Sequence, residues 1–159
     1  MRPQNFPEIA LSQFISLMIK PNIFSQLMEA DLAELEALLK VNASEYWNNH
    51  YTFDNISNTK KKTLGKAKTR TIIINAIVPL YYFLSKKLND DKWAKKAFGL
   101  LEKMPSEKNN IISKWKERGL KADTAYDSQA LLELKKNFCT PKKCLLCPIG
   151  HHLLKGKHV

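Results

Sequence analysis

The chain of 159 residues contains few glycine, proline and cysteine residues, with 5, 7 and 3 of them respectively. Few turn-forming residues argue against a protein built from many short strands, because hairpin turns depend on them. An odd number of cysteines, close together in the sequence, does not fit a secreted disulfide framework. No apolar run reaches the roughly 18 residues that a membrane span needs, and residues 1–10 do not form a signal peptide. We therefore predict a cytoplasmic protein with no membrane span.

The sequence also lacks the motifs of common catalytic sites. It has no HExxH pair, no paired carboxylates and no recognisable serine–histidine–aspartate set. The segment TLGKAKT (63–69) lacks the first glycine and the GK[ST] ending of a phosphate-binding loop. We therefore predict a binding module rather than an enzyme, and we assign no catalytic residue.

Positive charge is in excess, and it is unevenly distributed along the chain. Residues 1–56 carry 3 basic and 7 acidic residues, which gives −4, and residues 57–159 carry 23 and 8, which gives +15. An imbalance of this kind indicates a polyanionic partner. Nucleic acid is the first partner that it predicts. The alternatives are an acidic protein surface or a membrane surface.

The segment 57–70, the basic loop, has six basic residues and no acidic one. Its composition predicts an exposed, partly mobile loop that contacts phosphates and gives affinity with little sequence preference. The predicted contacts are Lys60, Lys61, Lys62, Lys66, Lys68 and Arg70.

Apolar residues recur at helical spacing through most of the chain, which predicts an all-α fold of six to eight helices in one domain, 1–159. Asp31 and Glu34 are typical of a capping box. Residues 72–84 are almost entirely apolar and predict a buried central helix with a kink at Pro79, although the β-branched start also favours a strand. His50 lies among aromatic residues and is expected to have a packing role.

All three cysteines lie in the segment 138–152, the cysteine loop, with the spacing C-x4-C-x2-C. Two thiolates three positions apart on a tight turn can face one metal ion. A closed zinc site would then use Cys139, Cys144, Cys147 and His151, and His152 and His158 are alternatives to His151. An iron–sulfur cluster, a redox dithiol and three buried structural thiols are the competing interpretations.

Several segments resemble a bacterial family of uncharacterised proteins, domain of unknown function 2851. They are RPQNFPEIALSQF (2–14), YWNNHYTF (46–53), INAIVP (74–79), EKNNIISKW (107–115) and DSQALLELKKNFCTPKKCLLCPIG (127–150). The resemblance covers nearly the whole chain, and the last segment is its most specific part. It implies that the chain corresponds to the C-terminal part of longer proteins, so that their N-terminal region is itself a candidate partner.

The resemblance extends to all three cysteines, but it does not require a histidine at position 151 or 152. It therefore favours three thiolates, or a ligand from elsewhere, and it implies no activity. Two hypotheses follow. One is a helical nucleic-acid-binding module with a structural metal in the cysteine loop, and the other is a protein-interaction or scaffold domain with no intrinsic affinity for nucleic acid.

Overall fold

The structure, a computed structural model, describes residues 6–155. The protein is 66% helical, which confirms the all-α prediction. The helices of the described residues are α1 (Pro7–Met18), α2 (Ile23–Glu29), α3 (Leu32–Leu38), α4 (66–88), α5 (Asp91–Lys103), α6 (Asn110–Glu117), α7 (125–139) and α8 (Pro148–Lys155). Short 3₁₀ turns span Glu45–Asn48 and Cys144–Leu146, and a two-stranded antiparallel hairpin joins β1 (His50–Thr52) to β2 (Asn55–Ile56).

The chain divides into two units, residues 1–80 and 81–159. The boundary falls inside α4, directly after Leu80. The prediction that residues 1–159 form a single domain therefore stays a prediction.

The N-terminal unit is held by the inward faces of short helices. α1 buries Ile9, Gln13 and Leu17, which are four residues apart and therefore lie on one face. Asp31 begins α3 and forms the predicted capping box: its carboxylate accepts from the backbone N–H of Glu34, whose carboxylate accepts from the backbone N–H of Asp31. The helix thereby satisfies donors that would otherwise lack partners at its first turn.

The aromatic residues of 46–53 pack this irregular segment into the N-terminal unit. Trp47 is buried against Ile9 and Ala43. The ring of His50 stacks on Tyr46 with 4.1 Å between centroids, and its Nδ1 lies 2.8 Å from the backbone oxygen of Tyr46. Both contacts support the packing role expected of His50.

Helix α4 is not buried on all sides, in contrast to our prediction for residues 72–84. It runs through Lys66–Ile72, a widened π-turn at Ile73–Ile77, and Val78–Leu88. Ile73, Ile74 and Ile77 are buried, whereas Ala76 and Leu80 are exposed, so the helix has one buried face. The π-turn lies just before Pro79, which has no backbone N–H to donate. Both features interrupt the regular helical hydrogen bonds in the same stretch of α4. The apolar run over residues 72–84 predicts that this helix is buried. It does not show which face of the helix packs against the rest of the protein.

The C-terminal unit packs α7 against both α5 and α6. Ser128 is fully buried in α7, where its hydroxyl donates to the backbone oxygen of Ala125 and accepts from the backbone N–H of Glu107. Thr124 and Asp127 form a capping box at the start of the helix. The backbone N–H of Thr124 donates to the Asp127 carboxylate and holds its pKa below the usual value.

Helix α8 folds back closely onto the 3₁₀ turn before it. A Cβ added to Gly150 would lie 2.4 Å from the backbone oxygen of Cys144, whereas one added to Gly99 of α5 would meet no atom within 4 Å. Glycine at position 150 is therefore a steric requirement, and glycine at position 99 is not.

We predict opposite effects for alanine at these two glycines. Gly150→Ala should lower the free energy of unfolding by about 1–3 kcal/mol, because backbone must shift to admit the methyl group. Gly99→Ala should raise it by about 0.5–1 kcal/mol, because alanine is the better helix former. Urea unfolding of the two variants and wild type checks this, and equal effects at both positions would contradict the close approach.

Candidate functional site

The basic loop is not one continuous exposed loop. The helical segment Lys66–Ile72 already includes Lys66, Lys68 and Arg70, and it begins directly after Gly65. The part before it is held to the N-terminal unit, with Thr63 paired to Asn42 through a β-bridge and through a 2.6 Å side-chain hydrogen bond. The prediction of a mobile loop over 57–70 is therefore wrong for its second half, because the lysines there are spaced along a helix.

Lys62 is the clearest departure from the predicted phosphate-contacting set. It is only 8% exposed, and its Nζ lies 3.8 Å from the centroid of the Tyr51 ring and 3.5 Å from the backbone oxygen of Asn48. Its own backbone oxygen accepts from Gln13 Nε2 at 2.8 Å and from the backbone N–H of Ala43 at 3.0 Å. Lys62 is therefore a buried structural residue, and the expectation that it is solvated is wrong.

Two more of the predicted cations are already paired. Lys66 Nζ lies 3.4 Å from Glu36 Oε2, and Arg70 Nε lies 3.2 Å from Glu36 Oε1. Lys60, Lys61 and Lys68 are exposed. Phosphate contact by these six residues stays a prediction, and the structural partners of Lys62, Lys66 and Arg70 compete with it.

Matched alanine variants separate the two kinds of lysine. Lys62→Ala should lower the free energy of unfolding by about 1–3 kcal/mol, since it removes a shielded cation–π contact and the packing of the side-chain stem. Lys61→Ala should change it by less than about 0.5 kcal/mol, because Lys61 is exposed. Thermal or urea unfolding is the measurement, and equal losses would show that Lys62 is not specially placed.

The structure brings the three cysteines to one cavity of about 260 Å³ in the C-terminal unit, the apolar cavity. Cys139 ends the π-turn of α7 and is half-buried, Cys144 is exposed on the 3₁₀ turn, and Cys147 is buried. The other lining residues are Trp115, Leu120, Leu131, Leu134, Phe138, Ile149, Gly150 and Leu153. The thiols therefore share apolar surroundings.

Sharing a cavity does not give the cysteines a metal-ligand arrangement. Across residues 6–155, no group of three or more histidine, cysteine, aspartate or glutamate side chains is arranged to hold a metal ion. His151 is exposed on α8 and does not line the apolar cavity, and its backbone N–H donates to the oxygen of Cys147 at 2.8 Å. His152 is also exposed, and His158 lies outside the described residues. Zinc or iron–sulfur binding stays a prediction.

A second cavity, of about 330 Å³, shares Trp115 and Cys139 with the apolar cavity. We call it the cationic cavity, because Lys114, Arg118 and Lys135 line it together with Asn110 and Ile111. No motif in the sequence predicts this site. Lys114 lies on α6, and Arg118 caps the end of that helix four residues later, but Lys135 comes from α7, whose position against α6 the sequence does not show.

Exposed aliphatic side chains lie at the rim of the apolar cavity or close in sequence to the residues that line it. Leu145 and Leu146 are 77% and 74% exposed, and Leu153, which lines the cavity, is 65% exposed. Ile149 and Leu154 are also exposed. Single exposed apolar residues are ordinary, but a cluster of five along residues 145–154 is typical of an interaction surface.

Residues 1–110 match the family described as "Protein of unknown function (DUF2851)". The match spans more than half of the chain, so the chain belongs to this family, as the resemblance indicates. The match is shorter than the nearly whole chain that the resemblance covers, and it excludes residues 127–150, which carry the most specific part of that resemblance. The two cavities therefore lie beyond it, apart from Asn110. No curated protein and no solved structure matches the chain.

The structure also bears on membrane insertion. Within residues 6–155, no helix has both the length and the apolar character that are needed to cross a membrane.

Thiol reactivity tests the placement of the cysteines. In zinc-free protein, Cys144 should react first with a chromogenic disulfide and Cys147 last, because they are exposed and buried respectively. If the metal prediction holds, adding zinc should slow all three thiols together, and elemental analysis should give one zinc per chain. Slowing of one thiol, or of none, would contradict a three-cysteine zinc site.

Proposed function

We propose that the protein is an interaction module whose C-terminal unit binds an acidic segment of a partner protein. The observation that carries this proposal is the pair of adjoining cavities, one apolar and one lined by three cations, which share Trp115 and Cys139. Such a pair suits a ligand that presents an apolar side chain next to carboxylates. A scaffold or interaction role is one of the two hypotheses from the sequence, and the two cavities support a location for it in the C-terminal unit.

The apolar cavity would supply most of the affinity. Removing a leucine or phenylalanine side chain from water contributes about 1.5–3 kcal/mol, and a cavity of about 260 Å³ has room for such a group. Trp115 lies between the two cavities, and tryptophan is enriched among the residues that dominate binding energy. Partner residues that cover Leu145 and Leu146 would bury further apolar area.

The cationic cavity would orient the partner and increase the rate at which it associates with the protein. Lys114, Arg118 and Lys135 are exposed, so ion pairs with them are screened by salt and contribute modestly to affinity. Charges at a rim increase the association rate and select against basic partners. An amphipathic acidic helix meets both demands, because its apolar residues lie on one face with the carboxylates beside them.

Aliphatic residues favour a protein partner over nucleic acid at this surface. Leu145, Leu146, Ile149 and Leu153 offer neither a flat ring for a base nor a donor for a phosphate. They suit the apolar face of a helix, which would cover them and exclude water.

A designed peptide tests the proposal. Its length would be about 16 residues, or four to five helical turns, with leucine at helical spacing, glutamate elsewhere and a fluorescent label. Anisotropy titration should show saturable binding to wild-type protein. A peptide of the same composition in scrambled order and one with lysine in place of glutamate should both bind at least about tenfold more weakly, since each lacks one half of the match.

Variants locate the binding. Leu153→Glu places a charge at the rim of the apolar cavity, on an exposed position where folding should be unaffected, and it should abolish peptide binding. Reversing Lys114, Arg118 and Lys135 to glutamate should slow association. Reversing Lys103, Lys108 and Lys121, which are exposed and line neither cavity, is the matched control for net charge. Equal effects of the two triple variants, or tight binding by the scrambled peptide, would overturn the proposal.

A further inference from the structure

We infer a second binding site in the C-terminal unit, a row of exposed aromatic rings on which the bases of single-stranded nucleic acid stack. The aromatic row consists of Tyr82, Phe98 and Tyr126, which are 43%, 40% and 45% exposed. The ring centroids of Tyr82 and Phe98 are 6.0 Å apart, and those of Phe98 and Tyr126 are also 6.0 Å apart. The rings follow one another across three helices, α4, α5 and α7.

Each of the three aromatic residues directly follows a buried residue in the sequence. Tyr81, Ala97 and Ala125 directly precede the three rings in the sequence, and each is 0% exposed. The backbone at all three positions is therefore anchored in the unit's interior, while the ring that follows is presented to solvent. Aromatic rings with few rotatable bonds, on helices rather than loops, form a site that needs little ordering when a ligand binds.

The charge around the aromatic row suits a polyanion. Lys86 Nζ lies 5.4 Å from the centroid of the Tyr82 ring, and Lys95, one turn before Phe98 on α5, is exposed. Residues 81–155 carry 16 basic and 8 acidic residues, a net charge of +8. Aromatic rings interleaved with lysines match both the faces of bases and the phosphates that link them.

The chemistry of the row favours unpaired bases over a duplex or a protein helix. In a duplex the faces of the bases are covered by their neighbours, so exposed rings reach them only when the strand is single. The row is aromatic where the surface of residues 145–154 is aliphatic, so the two surfaces suit different ligands. They share no residue, and the inference therefore does not rest on the proposed function.

The site is also distinct from the basic loop, whose lysines the sequence predicts as phosphate contacts. The loop belongs to the N-terminal unit, and the aromatic row belongs to the C-terminal unit. Substitutions in one leave the other chemically unchanged, so a single binding assay can distinguish the two assignments.

The test uses a fluorescein-labelled oligothymidylate of about 15 nucleotides, within the range of site sizes for single-strand binders. Anisotropy should show binding by wild-type protein that weakens markedly between about 50 and 200 mM salt. Alanine at Tyr82, Phe98 or Tyr126 should weaken binding by between about fivefold and a hundredfold each, the loss expected for one stacked base. Phenylalanine at Tyr82 and Tyr126 should retain it, because the ring face remains.

Three controls accompany these variants. The double variant Lys60→Ala, Lys61→Ala should lose less affinity than any alanine variant of the aromatic row, and so should Leu153→Glu. A duplex of the same length should bind more weakly than the single strand. Because Phe98→Ala removes packing as well as a stacking face, a second measurement uses the wild-type protein: photocrosslinking to an oligonucleotide that carries 5-iodouridine should label residues of the aromatic row.

Several results would overturn the inference. They are an absence of binding at the lower salt concentration, alanine variants that bind like wild type, or crosslinks that map elsewhere. Loss of binding in the Lys60, Lys61 variant with the aromatic row intact would assign the activity to the basic loop instead.

Discussion

The close approach of Gly150 to the backbone of Cys144 is the constraint on which the C-terminal surface depends. It lets α8 lie directly against the 3₁₀ turn, since any side chain at position 150 would collide with the Cys144 backbone oxygen. Because of that contact, Cys144 of the turn and Leu153 of α8 line one cavity together with residues of α6 and α7. A short stretch with little core of its own thereby forms one wall of a defined cavity.

In the N-terminal unit, Lys62 has the corresponding structural importance. Its backbone oxygen accepts from Gln13 of α1, and its ammonium group lies over the Tyr51 ring and donates to the backbone oxygen of Asn48. A lysine can serve in this way because its long stem packs while its charge finds a ring and a carbonyl. Lys60 and Lys61 precede it in the sequence, yet both are exposed. Three identical side chains thus have two different physical environments.

The C-terminal unit presents two surfaces with different chemistry. One combines aliphatic side chains and an apolar cavity with three cations, and it suits a partner with an apolar anchor and carboxylates. The other combines exposed rings with lysines, and it suits stacked bases and phosphates. The same positive charge, +8 over residues 81–155, favours anions at both surfaces. Net charge alone therefore cannot distinguish an acidic protein from nucleic acid, whereas the neutral side chains next to the cations can.

The sequence by itself determined the helical class, the capping box at Asp31 and the packing role of His50, because these depend on local spacing and backbone chemistry. It also determined the basic character of the chain. Only the tertiary structure decided which lysines are buried and which face of α4 is covered. It also decided that the three cysteines line one apolar cavity, and that among residues 6–155 they do not form a metal-ligand arrangement. The cationic cavity and the aromatic row were also beyond the sequence, since their members come from helices far apart in the chain. Burial and proximity are properties of packed helices, and no local pattern of residues encodes them.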